Sequence, residues 1–159
     1  MSRMPIPDFV VRLREKVGHD LIPMTGATGV VRDADGRILL GLRADTGEWA
    51  LPSGIIEPFE EPAVALAREI EEEAGIGIRV EALVAISATG KIRYPNGDLA
   101  SYLDFTFTCT HLRGEPHPAD GENEEMGWFA LDALPPLRAS SRFRLEKALA
   151  YAGTTWFAR

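Results

Sequence analysis

Apolar residues recur along this chain with two different periods. Val10, Leu13 and Val17 stand at helical spacing and predict a short N-terminal helix over residues 7–17. A second helix is predicted from Pro62 to Ala74, where Ala63, Leu66, Ala67, Ile70 and Ala74 fall on one stripe at about 100° per residue. Pro62 suits a first turn, because its missing N–H has no intrahelical partner to lose. Gly75 follows the last periodic residue, where a left-handed cap is wanted. Thr25–Arg32 and Arg37–Arg43 are apolar segments on either side of Asp33-Ala34-Asp35-Gly36, which reads as a hairpin. Ile78–Ala88 and Ala100–Leu112 are further strand candidates flanking the turn chemistry of Tyr94–Asp98. Glu125–Leu131 reads as a shorter strand and Ser141–Tyr151 as a closing amphipathic helix. With no repeat, low-complexity tract or internal linker, the expectation is one α/β domain over residues 1–159, a mixed sheet covered by helices.

The polar face of the second helix changes the picture. Glu69, Glu72 and Glu73 lie within roughly a 100° arc beside the apolar stripe. Like charges at this spacing repel, and near a helix C-terminus the macrodipole disfavours them further. A cation is needed, and Arg68 alone carries too little charge for three carboxylates. Oxygen-only ligands suit the hard cations Mg²⁺ or Mn²⁺ and do not suit zinc. A bare Glu-x-x-Glu-Glu is ordinarily a solvated helix face. Here it belongs to a longer pattern: Gly54, five residues, Glu60, seven residues, then Arg68-Glu69-Ile70-Glu71-Glu72-Glu73-Ala74-Gly75-Ile76.

That pattern, over residues 54–76, resembles the Nudix box, G-x5-E-x7-R-E-U-x-E-E-x-G-U with U aliphatic, at every defined position. Weaker similarity runs from about Thr25 to Leu134, through Trp49-Ala50-Leu51-Pro52 and the later Glu-x-x-Glu-x-x-Trp-Phe. The resemblance implies an α/β/α sandwich and a loop–helix–loop that holds divalent cations against a diphosphate. It makes Glu72 and Glu73 metal ligands, and Glu69 a residue that completes the metal shell or acts as base. Arg68 would orient the carboxylates and Glu60 would buttress the loop. The residue before Gly54, whose carbonyl commonly binds metal, is Ser53, where glycine is commoner. Phe59 likewise stands where glycine commonly precedes the first glutamate. A further acid usually joins the metal site, and Glu122 is preferred over Glu125 because it lies in the Asp120–Asn123 loop. Glu57 is a candidate supporting carboxylate, with a solvated loop as its alternative.

Composition agrees with such an enzyme. The chain is 45% hydrophobic over 159 residues, enough for a core, and contains no apolar run of about 18 residues that would span a membrane. Pro5, Pro7, Asp8 and Glu15 interrupt the first twenty residues, so a secretory leader is not expected. Cys109, the single cysteine, sits in a strand pattern and favours a reducing compartment, so the expected location is cytoplasmic. A net charge of −7 argues against nucleic-acid binding. His19, His111 and His117 show no ligand spacing.

Substrate residues are less sharply marked. Arg43 could meet a phosphate or be a strand-end charge, and Trp49 could stack on a base or pack in the core. Tyr94 lies roughly where a tyrosine marks dinucleoside-polyphosphate hydrolases of the superfamily, and it also opens a turn. The proline typical of many ADP-ribose hydrolases is replaced by Lys91 and Ile92, and Pro95 comes late. The expected function is Mg²⁺-dependent hydrolysis, with Mn²⁺ as a substitute, of a nucleoside diphosphate linked to X. ADP-ribose, a nucleotide sugar or a nucleoside triphosphate would fit. Dinucleoside polyphosphate hydrolysis and a non-catalytic nucleotide sensor are the alternatives, and the complete set of box glutamates speaks against the sensor. The partner is a small nucleotide, with neither nucleic acid nor membrane, and a homodimer is an open alternative.

Overall fold

The computed structural model describes residues 6–159. In chain order the elements are α1 (Asp8–Val17), β1 (Ile22–Arg32), β2 (Ile38–Arg43), β3 (Trp49–Ala50), β4 (Ser53–Ile55) and α2 (Pro62–Ala74). There follow β5 (Gly77–Ala88), β6 (Ile92–Arg93), β7 (Leu99–Arg113), β8 (Asn123–Phe129) and α3 (Ala139–Leu149). The predicted helices and long strands are present, with α3 and β8 each beginning two residues earlier than the periodicity suggested. Of the N-terminal stretch read as lacking a leader, residues 1–5 lie outside the described residues.

The Asp33–Gly36 turn forms, closed by the Gly36 N–H on the Asp33 carbonyl at 3.1 Å. The hairpin it was expected to join does not continue. β1 and β2 are in register only at Arg32 and Ile38, and then they part. β1 runs parallel to β7 along its full length and takes β4 antiparallel on its other side. β2 instead pairs antiparallel with β3 and β8. The reason lies in β1, where six successive residues from Gly26 to Val31 include no exposed one. A strand apolar on both faces belongs in the middle of a sheet with helices on both sides.

That is the arrangement observed. Ala27 and Val31 of β1, with Phe107 and Cys109 of β7, pack on Ala65, Leu66, Ile70 and Ala74 of α2. Burial pushes the Cys109 thiol up to about 12, so it is an inert core group. On the opposite face Val30, Leu40 and Val84 meet Leu145 and Ala148 of α3, and Ile22, Met24 and Ala100 meet Val10 of α1. The molecule is therefore a mixed sheet between α2 and the α1/α3 layer. No helix among the described residues is long and apolar enough to cross a membrane.

Candidate active site

The box folds because each fixed residue solves a local problem. Gly54 lies opposite Ala27 in the β1–β4 ladder, facing α2. A Cβ there would fall 2.2 Å from Cγ and Cδ of Glu69, so only glycine lets that side chain lie against the strand. α2 starts at Pro62 and ends at Gly75, whose φ of 69° and ψ of 20° form the left-handed cap. Its last carbonyls, which carry the negative end of the helix, accept backbone N–H groups from a later segment. His117 N–H bonds Ala74 O, and Ala119 N–H bonds Glu73 O, each at 3.1 Å.

Arg68 holds the loop to the helix. Its Nε and Nη2 donate to Glu60 Oε1 and Oε2 at 2.7 and 2.9 Å. Its Nη1 donates to Glu69 Oε1 at 2.9 Å and to Glu72 Oε2 at 3.3 Å. Glu60 Oε2 also accepts the Glu57 N–H at 3.1 Å, which closes the turn. The bonds from Arg68 hold Glu60 below its ordinary pKa, and the bonds to Glu60 and Glu69 hold the guanidinium above its own. Arg68→Ala should cost about 1–3 kcal/mol of stability and weaken the response to divalent cations together, with Arg68→Lys recovering only part for want of the planar fork. Thermal melts with and without Mg²⁺ check this, and an unchanged cation-induced shift in the Ala variant would count against it.

Phe59, within this turn, has φ of 68°, and its side chain is fully exposed. The departure from the family's glycine leaves a phenylalanine in the left-handed region, at a cost of order 1 kcal/mol. Phe59→Gly should therefore raise the unfolding free energy by up to about 1 kcal/mol without altering turnover, as chemical unfolding would show.

Glu69, Glu72 and Glu73 each lie within electrostatic reach of Glu122, which makes this an acidic region. Glu122 reaches it from the loop before β8, its N–H held by Asp120 Oδ1 at 3.0 Å. Glu125 lies exposed on β8 and is not part of the group. Arg43 borders this region, 3.9 Å from Glu122 Oε2, with its fork on Asp45 at 2.9 and 3.0 Å. Glu73 is only 3% exposed. Asn123 Nδ2 donates to its Oε1 at 2.9 Å, while Oε2 has no hydrogen-bond partner.

Burial pushes Glu73 up to about 8 and, against the pull of Arg68, Glu69 up to about 7. Both groups hold their protons more tightly folded than unfolded, where the ordinary value is 4.5. Between those limits the unfolded chain binds fewer protons, so these groups make the metal-free protein less stable as pH rises from about 4.5 to 8. Metal-free melting curves across that range should fall more steeply for the wild type than for Glu73→Gln.

The donor set suits a hard divalent cation: carboxylate oxygens only, one of them buried without a donor. Among the described residues no three acidic, histidine or cysteine side chains stand close enough together to hold a metal ion as they lie, and Arg68 engages both Glu69 and Glu72. Ser53, in β4, sits beside Thr28 at the edge of this region.

Two expected substrate residues are accounted for by packing. Trp49 lies in the α3-side cluster, edge to face on Phe129 with centroids 4.9 Å apart. Tyr94 packs in the α1-side cluster and shares a 2.6 Å hydrogen bond with the Tyr102 hydroxyl. Neither is among the residues gathered around the carboxylates. Asn123 and Asp45 were not anticipated as site residues. Their only sequence signal was a polar residue beside Glu122 and an acid two positions after Arg43.

A family model of the NUDIX domain matches residues 23–150. A MutT-like protein of Streptomyces ambofaciens is 47% identical over 126 residues, 79% of this chain and 76% of that protein. The CMP-5'-(N-acetyl-N-hydroxy-3-aminopropyl)phosphonate hydrolase of Streptomyces rubellomurinus is 42% identical, over 80% of this chain but only 62% of its own length. Among solved structures, a MutT NUDIX hydrolase from Burkholderia pseudomallei superposes with a TM-score of 0.65 at 35% identity, covering 79% of this chain and 98% of its own. The box, its Arg68 fork and the carboxylates beneath Glu122 thus sit in a fold shared with these proteins, and the chain belongs to the Nudix hydrolases, enzymes that act on pyrophosphate bonds of nucleotide-containing substrates.

Proposed function

We propose that this chain is a Mg²⁺-dependent pyrophosphohydrolase that cleaves the diphosphate bond of a nucleoside diphosphate linked to X and releases a nucleoside monophosphate. The observation that carries the reading is the Glu73 carboxylate, buried in an acidic region with one oxygen left without a donor. Glu69, Glu72, Glu73 and Glu122, with the Ser53 carbonyl, would hold the cations. When bound, these neutralise phosphoryl oxygens and lower the pKa of a water.

The protein's own groups do the rest. Arg68 fixes Glu69 through one oxygen, and its other oxygen lies against Gly54. In the loaded site Glu69 would complete the cation shell or accept the proton of an attacking water. Arg43, held by Asp45 at the rim, would supply positive charge for a phosphate. The 42% identical relative named as a hydrolase of a CMP-linked compound supports a substrate in which a nucleotide is joined to a second group.

The test is a panel of ADP-ribose, nucleotide sugars, nucleoside triphosphates, dinucleoside polyphosphates and simple monophosphate esters with Mg²⁺, scored by chromatography of the products. Diphosphate-linked compounds should yield nucleoside monophosphate, and monophosphate esters should be untouched, because they lack the second phosphoryl group as leaving group. Comparable hydrolysis of a monophosphate ester would overturn the reading. So would tight nucleotide binding with no turnover of any compound.

A further inference from the structure

The three α2 carboxylates assigned to the cation are held in different ways. Glu69 and Glu72 are held by Arg68, a cation. Glu73 is held by Asn123, a neutral amide that is itself 5% exposed. The difference matters for a ligand. A charged donor would cancel part of the negative charge that draws a cation in, whereas a carboxamide fixes the carboxylate and leaves that charge in place.

The surroundings are shaped to keep the carboxamide where it is. Asn123 opens β8 and stands opposite Arg43, at the point where the β2–β8 register shifts. Gly41 of β2 faces it. A Cβ on Gly41 would fall 2.5 Å from Asn123 Oδ1 and 2.8 Å from its Cγ, so the side chain occupies space that any larger residue would claim. The same segment grips the main chain of Glu73, whose carbonyl accepts the Ala119 N–H at 3.1 Å. Glu73 is thus tied through its backbone and through one side-chain oxygen, and Oε2 alone remains without a donor.

We propose that Asn123 is a positioning residue for Glu73: its amide pins Oε1, adds no positive charge of its own, and so offers Oε2 to a divalent cation. This rests on the assignment of the α2 carboxylates as the cation site. The experiment titrates the full chain with Mg²⁺, following thermal unfolding, and with Mn²⁺, following binding by calorimetry, for the wild type, Asn123→Leu, Asn123→Ser and Glu73→Gln. Both Asn123 variants should need about tenfold more cation to reach half of the stabilisation and half of the binding, the usual scale for a residue behind a ligand. Their KM for nucleotide, measured at saturating Mg²⁺, should stay within about twofold of wild type. The smaller Asn123→Ser carries the test should Asn123→Leu not fold.

A residue that only supports the fold would lower the metal-free melting temperature and leave the cation midpoints where they are. That result, with the midpoint displaced in Glu73→Gln, overturns the role given to Asn123 and spares the cation site. Midpoints unmoved in Glu73→Gln as well would overturn the cation site itself.

Discussion

Glu73→Gln is expected to fold like the wild type and to turn over about a thousandfold or more slowly at saturating Mg²⁺. The fold should survive because glutamine keeps an oxygen for the Asn123 amide and removes a charge from a site that is 3% exposed. At pH 8 and above the metal-free variant should melt at or above the wild-type temperature. The chemistry should fail because the group facing the cation is no longer an anion. Measuring kcat against Mg²⁺ concentration, with melting curves alongside, separates the two effects. Near wild-type turnover would remove α2 as the metal site.

Gly54→Ala is the second change with a large expected effect, and its logic is the reverse of a core mutation. The new methyl would collide with Cγ and Cδ of Glu69, the flexible end of a side chain that can swing aside. Stability should therefore change by no more than about 1–2 kcal/mol. Glu69 would leave both the strand and the Arg68 Nη1 that holds it at 2.9 Å, and a displacement of this size costs about a hundredfold or more in kcat. A stable Gly54→Ala protein with normal kcat would show that Glu69 need not lie where it does.

The helix and the Asp33–Gly36 turn were legible in the chain because each depends on neighbours within a few turns. Glu122 was legible through the family pattern. What escaped depends on distant partners. Nothing near Asp33 says that the two strands flanking the turn part company after one register pair, because β1 is claimed by β7 and β2 by β8. The two-residue strands β3 and β6 are too short to show a period. Asn123 looks like any polar loop residue until Gly41 and Glu73 close around it. Trp49 and Tyr94, each read as either a substrate residue or a packing one, have packing partners in Phe129 and Tyr102 that lie far away in the sequence or across a turn.

The parallel pairing at the centre of the sheet has a consequence for the order of folding. Ile22 lies beside Ala100 and Arg32 beside Thr110, so the whole helix-bearing middle of the chain is a loop that must close before β1 finds its partner. Such non-local closure is slow, and until it happens β1 is an apolar strand with an open edge. The surface that α2 packs on is complete only then, since Phe107 and Cys109 are part of it. Glu73 must then wait for Asn123, later still in the chain. A peptide spanning only residues 54–76 would carry every glutamate of the box without the environment that makes them ligands, and cation binding reports completion of the tertiary fold rather than formation of the helix.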